Sequence, residues 1–209
     1  MTAEMQTTGF CSQAEFDKVL IASSPHKPEI EGRLISELAE EASLSPYEWI
    51  FDTLLETNLD VMTVHFMMSD ENIRLQLAHP ATMVSTDSFG LSVTGPLSAG
   101  KPHPRCYGTY PRLFGRYVRE QRTLSLEEAV WKSTGFPAQK LRWTDRGLVR
   151  KGYKADLVVF DPDTILDTAT YEDPHQYPRG ISHVLVNGVA AIRDGQHTQE
   201  RAGLVLRGG

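Results

Sequence analysis

Apolar residues fall into short runs separated by Pro, Gly and Ser, and the runs change character along the chain. Asp17 to Ala22 is a short apolar run that stops at Ser23-Ser24-Pro25, the pattern of a buried strand. Leu34, Ile35, Leu38, Ala39 and Ala42 then recur at helical spacing on one face. Ser45-Pro46-Tyr47-Glu48 opens a second helix. The serine can cap, the proline suits the first helical position, and Glu48 can reach back to the cap. Val61 to Phe66 reads as a strand, Ser69 as the cap of a helix ending near His79-Pro80, and Thr82 to Thr86 as a third strand with Asp87 at its C-terminal end. Strand alternating with helix predicts a parallel α/β sheet.

Ser88 to Pro104 is rich in Gly, Ser and Pro and reads as a loop; Arg112 to Gln121 reads as a helix. Ser125-x-x-Glu128 repeats the capping box, Gly135-Phe136-Pro137 breaks that helix, and Ala138 to Trp143 adds a turn or two. Beyond Gly152 the period shortens. Ala155 to Asp161 is a strand, and two more runs flank Asn187-Gly188, a strong hairpin signal. The chain therefore divides near residue 147, into a mostly α/β region over 1–146 and a β-rich region over 147–209.

Composition narrows the class. The 209 residues are 40% hydrophobic and 23% charged, which suits a folded domain rather than a disordered one. At that length a closed TIM barrel, typically about 250 residues, would be cramped. A net charge of −6 offers no electrostatic footprint for nucleic acid or an anionic membrane, so neither is an expected partner. Two cysteines, Cys11 and Cys106, argue against a disulfide scaffold and fit a reducing cytoplasm. Met1 to Phe10 lacks the basic and apolar segments of a signal peptide, and no apolar stretch approaches the ~20 residues of a membrane helix.

Candidate chemistry is sparse. Asp87 follows a predicted parallel strand, the position from which a carboxylate faces the ligand crevice of an α/β fold, although aspartate also favours turns. In the loop His103-Pro104-Arg105-Cys106-Tyr107-Gly108, Arg105 offers a planar fork for a carboxylate, or is a surface arginine on a proline-stiffened loop. The seven histidines (His26, His65, His79, His103, His175, His183 and His197) form no H-x-H, H-E-x-x-H or Cys/His cluster. There is no G-x-S-x-G, P-loop or G-x-G-x-x-G either.

The stretch Gly147 to Asp161, and Val184-Leu185-Val186-Asn187-Gly188 with Arg193-Asp194-Gly195, resemble the return from barrel to β-sandwich in amidohydrolase-superfamily enzymes. His79 to Asp87, His103 to Arg112, Ala169 to Pro178 and His197-Thr198 resemble the D-aminoacylase (N-acyl-D-amino-acid deacylase) family. The likeness runs from about Phe16 to the C-terminus and matches the family's C-terminal half. It implies an α/β fold: the last few strands and helices of a metal-dependent-hydrolase TIM barrel, then strands of a small β-sandwich.

The resemblance also implies roles. Asp87 would handle the proton of the attacking water, although Ser88 stands where the family favours glycine. Arg105, with His103 of the same H-P-R motif, would hold the substrate carboxylate of an N-acyl-D-amino acid. The loop Ser24 to Arg33 aligns with one lining the family's pocket and carries His26, Lys27 and Glu31, where some members carry Tyr and Ser. Zinc is the expected cofactor of the complete enzyme, but its H-x-H, cysteine and further histidines precede the matched region. This chain is then expected to hold no complete metal set, Asp87 being at most a weak ligand, and to be inactive alone. The other reading is a non-catalytic module that complements a missing N-terminal half or another chain, or forms a homo-oligomer through open strand edges.

Overall fold

The computed structural model describes residues 15–206, so Cys11 and the Met1–Phe10 segment lie outside the described residues. Two units emerge, each assembled from three separate stretches of chain. Among the described residues, no helix is long and apolar enough to cross a membrane.

The first unit comprises the described residues up to Met68, Phe89–Cys106 and Ala169–Gln176. Strand β1 (Val19–Ser23) is almost wholly buried, Ile21 being 1% exposed. Helix α1 (Ile35–Glu41) buries Ile35, Leu38 and Ala39, and helix α2 (Pro46–Glu56) buries Trp49. These side chains, with Val19, Ile21 and Ile30, form the core of this unit. At the start of α2 the Ser45 hydroxyl accepts the Glu48 N–H at 3.3 Å, and the Glu48 carboxylate accepts the Ser45 N–H at 3.1 Å. The Ser45 hydroxyl also donates to the Glu48 carboxylate at 2.7 Å, and this bond, with the one from the Ser45 N–H, holds the Glu48 carboxyl below its ordinary pKa.

Strand β2 (Met62–His65) pairs with β1, but antiparallel, Val19 facing His65, with an irregularity between Ile21 and Ser23. The expected parallel arrangement is corrected here. Alternation of strand and helix fixes which segments are strands, whereas direction depends on how the intervening chain turns back.

The second unit comprises Ser69–Ser88, Tyr107–Thr168 and the residues from Tyr177 onward. Helix α3 (Asp70–Ala78) is capped by Ser69, whose hydroxyl accepts the Asn72 N–H at 3.1 Å. The expected third strand, Thr82–Thr86, belongs to no ladder. Within it, the Val84 N–H donates to the Lys132 carbonyl at 3.3 Å. β-branched residues favour an extended chain, but a strand also needs a partner.

Helix α4 (Arg105–Arg112) begins inside the expected loop, so Arg105 is a helix-start residue rather than a loop residue. Pro111 has no N–H to donate, and from Leu113 to Glu120 the helix continues in the wider π register. The Gln121 N–H, for example, reaches back five residues to the Arg116 carbonyl at 2.8 Å. One face of this helix carries Gly108, Arg112, Gly115 and Arg119. A Cβ at Gly108 would lie 2.7 Å from Asp167 Cβ, and one at Gly115 would lie 2.8 Å from the Ile165 carbonyl oxygen. The glycines therefore admit the segment Pro162–Asp167, and the arginines bind it. Arg112 donates to Asp167 at 2.9 Å, and Arg119 donates to the Ile165 and Pro162 carbonyls at 2.7 and 3.2 Å. Although burial opposes its charge, the bond to Asp167 raises the Arg112 pKa overall.

Helices α5 (Leu126–Ser133) and α6 (Gly135–Lys140) follow, Ser125 and Glu128 repeating the reciprocal cap. Gly135-Phe136-Pro137 breaks α5 and also begins α6. Leu113, Phe114, Tyr117, Leu124, Ala129 and Ile165 form the core of this unit. Four antiparallel strands, β3 (Leu157–Phe160), β4 (Ile181–Val186), β5 (Val189–Arg193) and β6 (Gln196–His197), lie in sequential order. Asn187 and Gly188 both have positive φ, 50° and 84°, as the tight hairpin turn demands. The turn is tied down: the Asn187 N–H donates to Asp156 at 2.7 Å, and Arg146 donates to the Asn187 side-chain oxygen at 2.8 Å.

Candidate functional site

In the first unit, His103 and Arg105 are organised together at the start of α4. The Arg105 N–H donates to His103 Nδ1 at 3.0 Å, and the Cys106 N–H donates to the His103 carbonyl at 3.0 Å. With Nδ1 accepting, the proton of the neutral ring sits on Nε2, which lies 3.1 Å from Tyr171 Oη. Tyr171 also meets the His103 ring edge-to-face at 5.1 Å and the Phe66 ring at 4.7 Å. Both imidazole nitrogens thus serve the chain itself, and His103 sets the first turn of α4 from which exposed Arg105 projects.

The segment carrying Tyr171 is itself fixed. Thr170 and Asp173 exchange hydrogen bonds, the Thr170 N–H to the Asp173 carbonyl at 3.1 Å and the Asp173 N–H to the Thr170 hydroxyl at 3.0 Å. His175 Nε2 donates to the Gly100 carbonyl at 2.8 Å, and Pro174 is fully buried. Tyr171 and His175 are contributors that the reading of the sequence passed over. Their partners lie 68 and 75 residues away, and no local pattern links them.

The loop after β1 places its charged residues against neighbours in the same unit. Lys27 pairs with Glu56, His26 lies 3.9 Å from the Asp60 carboxylate, and Glu31 accepts the Ser24 N–H at 2.7 Å. The fully buried Ser24 hydroxyl has no hydrogen-bond partner.

Asp87 belongs to the second unit, at the exposed end of the segment that follows α3. Its φ is +45°, a left-handed conformation that glycine adopts freely and aspartate tolerates better than most residues. The backbone before it is held from α5. The buried Lys132 ammonium donates to the His79 and Thr82 carbonyls, and the Tyr110 hydroxyl donates to the Val84 carbonyl at 3.4 Å. Burial raises the Tyr110 pKa, keeping that hydroxyl protonated as a donor. Lys132 was also missed, yet it carries a signal. It stands three residues after Ala129 on the buried stripe of α5, where a cation is out of place.

Among the described residues, no group of three or more His, Cys, Asp or Glu side chains could hold a metal ion. The donor set present therefore does not fit a catalytic zinc, which takes about three protein ligands.

Comparison with known proteins gives a consistent picture. A D-aminoacylase from Alcaligenes xylosoxydans xylosoxydans is 39% identical over 179 residues, 86% of this chain and 34% of the relative. An N-acyl-D-aspartate deacylase from the same organism is 38% identical over 193 residues, 92% of this chain and 36% of the relative. The chain thus spans about a third of the length of these curated relatives. Among solved structures, a D-aminoacylase described as defining a novel subset of amidohydrolases superposes with a TM-score of 0.77 at 38% identity. That match covers 88% of this chain and 36% of the other. An N-acyl-D-glutamate deacylase from Bordetella bronchiseptica, complexed with zinc and a phosphonate inhibitor, superposes with a TM-score of 0.73 at 31% identity. It covers 94% of this chain and 38% of the other. Residues 53–192, two-thirds of the chain, match the model of the amidohydrolase family, and the chain belongs to that family.

Proposed function

We propose that this chain is the C-terminal part of a metal-dependent hydrolase that cleaves the amide of N-acyl-D-amino acids. In this reading, 1–146 contributes the last strands and helices of a TIM barrel and 147–209 a β-sandwich segment. The likeness to D-aminoacylase and N-acyl-D-aspartate deacylase along 86% and 92% of the chain carries the proposal. Asp87 takes the proton of the attacking water and delivers it to the leaving amine, a role that its exposed position allows. Arg105 holds the substrate carboxylate through its planar fork, and His103 positions it through the helix start. Zinc would supply the activated water in the complete enzyme, held by residues other than those described here.

The 209-residue chain alone should then release no amine from an N-acetyl-D-amino acid with zinc present. Mixed with the N-terminal two-thirds of a related D-aminoacylase, it should regain activity, and Asp87→Ala should remove about 10²–10⁴-fold of it. Amine release by the isolated chain would overturn the assignment of the metal ligands elsewhere. Full activity of the Asp87→Ala mixture would overturn the role of Asp87.

A second reading rests on β3. It is an edge strand with Val158 and Val159 about half exposed, which suits a non-catalytic module that pairs with another chain or a second copy. Assembly without any gain of activity in the mixing experiment would favour it.

A further inference from the structure

Lys132 is 5% exposed, and its ammonium donates to two main-chain carbonyl oxygens. Burying a cation is costly unless its donors are satisfied, so a lysine at this point needs a reason that a leucine would not meet. The hydrogen bonds it makes outside its own helix go to one short stretch. The ammonium donates to the His79 and Thr82 carbonyls, and its own carbonyl receives the Val84 N–H. Within that stretch, the Thr82 N–H returns to the His79 carbonyl at 3.1 Å, and the Ala81 N–H to His79 Nδ1 at 3.3 Å. Val84 packs against the core of the second unit, and Asp87 follows three residues later.

We propose that Lys132 is the positioning residue for Asp87. It grips the backbone of residues 79–84 from both its side chain and its main chain, doing for this segment what a strand ladder would otherwise do. Three attachments from one residue fix both the height and the direction of the chain entering Asp87. Charge-assisted bonds to carbonyls are stronger than neutral ones, which suits a segment without a neighbouring strand. The inference rests on the reading of Asp87 as the proton-handling group, but its structural half can be measured independently of that reading.

The test uses the full 209-residue chain, labelled with ¹⁵N and ¹³C. In the wild type, the Lys132 ammonium should give a separate, slowly exchanging signal, with couplings across hydrogen bonds to the His79 and Thr82 carbonyl carbons. An averaged, uncoupled signal would overturn the proposal whatever any variant does. Lys132→Met keeps the apolar stem and removes the donors. It should speed amide exchange over 82–87 by about tenfold to hundredfold and shift the Asp87 side-chain carbon, while the β4–β5 hairpin changes less than about twofold. Lys132→Arg, which retains donors, should restore most of that protection. Unchanged Asp87 signals in Lys132→Met, or equal loss of protection in 82–87 and in the hairpin, would overturn it. Should Lys132→Met fail to fold, the wild-type couplings and Lys132→Arg still decide. Full activity of Asp87→Ala in the mixing assay would instead sink the catalytic reading and leave these results standing.

Discussion

The two units secure their candidate residues by opposite means. In the first, organisation is in side chains: His103 bonds through both ring nitrogens, and Tyr171 locks it by one hydrogen bond and one ring contact while packing on Phe66. In the second, it is in the backbone: Asp87 ends a segment whose carbonyls are held by Lys132 and Tyr110, while its own φ lies in the left-handed region. A ligand-gripping arginine tolerates a side-chain lock because the guanidinium reaches its target over a long, flexible stem. A proton-transferring carboxylate is short, so its placement is the placement of its main chain.

The contrast can be broken most severely at Gly115. A side chain there would meet the Ile165 carbonyl at 2.8 Å, and the arginine-bound segment would have to leave the helix. Gly115→Val should destabilise the second unit by about 3 kcal/mol or more, at the upper end of overpacking costs. Exchange protection should fall in β3–β5 and persist in β1–β2; equal loss in both would show that the units do not unfold separately.

Tyr171→Phe probes the first unit more gently, removing the hydroxyl's bond to His103, worth about 1 kcal/mol, while keeping the ring. The His103 ¹⁵N resonances should report the lost partner at Nε2, and the Asp87 signals should stay fixed. A shift at Asp87 would mean that the two modes of support are coupled.

The helix caps give the smallest and cleanest comparison. Ser45→Ala and Ser125→Ala should each cost about 1 kcal/mol, the first in exchange around α2 and the second around α5. Glu48 and Glu128 both have pKa values lowered by their serine partners. The stability they lend is present above the ordinary glutamate pKa, about 4.3, and is lost as pH falls through the lowered folded value. Acid titration of Ser45→Ala should therefore lose less stability below about pH 4.3 than the wild type does.

What could be read from the residues in advance follows the range of the interaction concerned. Ser45-x-x-Glu48, Ser125-x-x-Glu128 and Asn187-Gly188 specify geometry within four residues, and all three appear as their chemistry requires. The direction of β2 against β1 does not, because it depends on some forty intervening residues. Thr82–Thr86 has the composition of a strand without a strand's partner. The π register over Leu113–Glu120 is equally hidden, since an apolar stripe barely distinguishes four-residue from five-residue bonding. At the candidate site, Asp87 and Arg105 were visible as residue types, whereas Tyr171 and Lys132, which organise them, act on positions 68 and about 50 residues away.

The interleaving of the units bears on how this protein can be cut and rebuilt. Six stretches of chain alternate between two units, joined at five points. No single proteolytic nick releases either unit intact, and no one contiguous reading frame encodes either alone. Swapping the Arg105-bearing unit between relatives would mean replacing three stretches at five coordinated junctions, so recombination by single crossover would tend to replace parts of both units together.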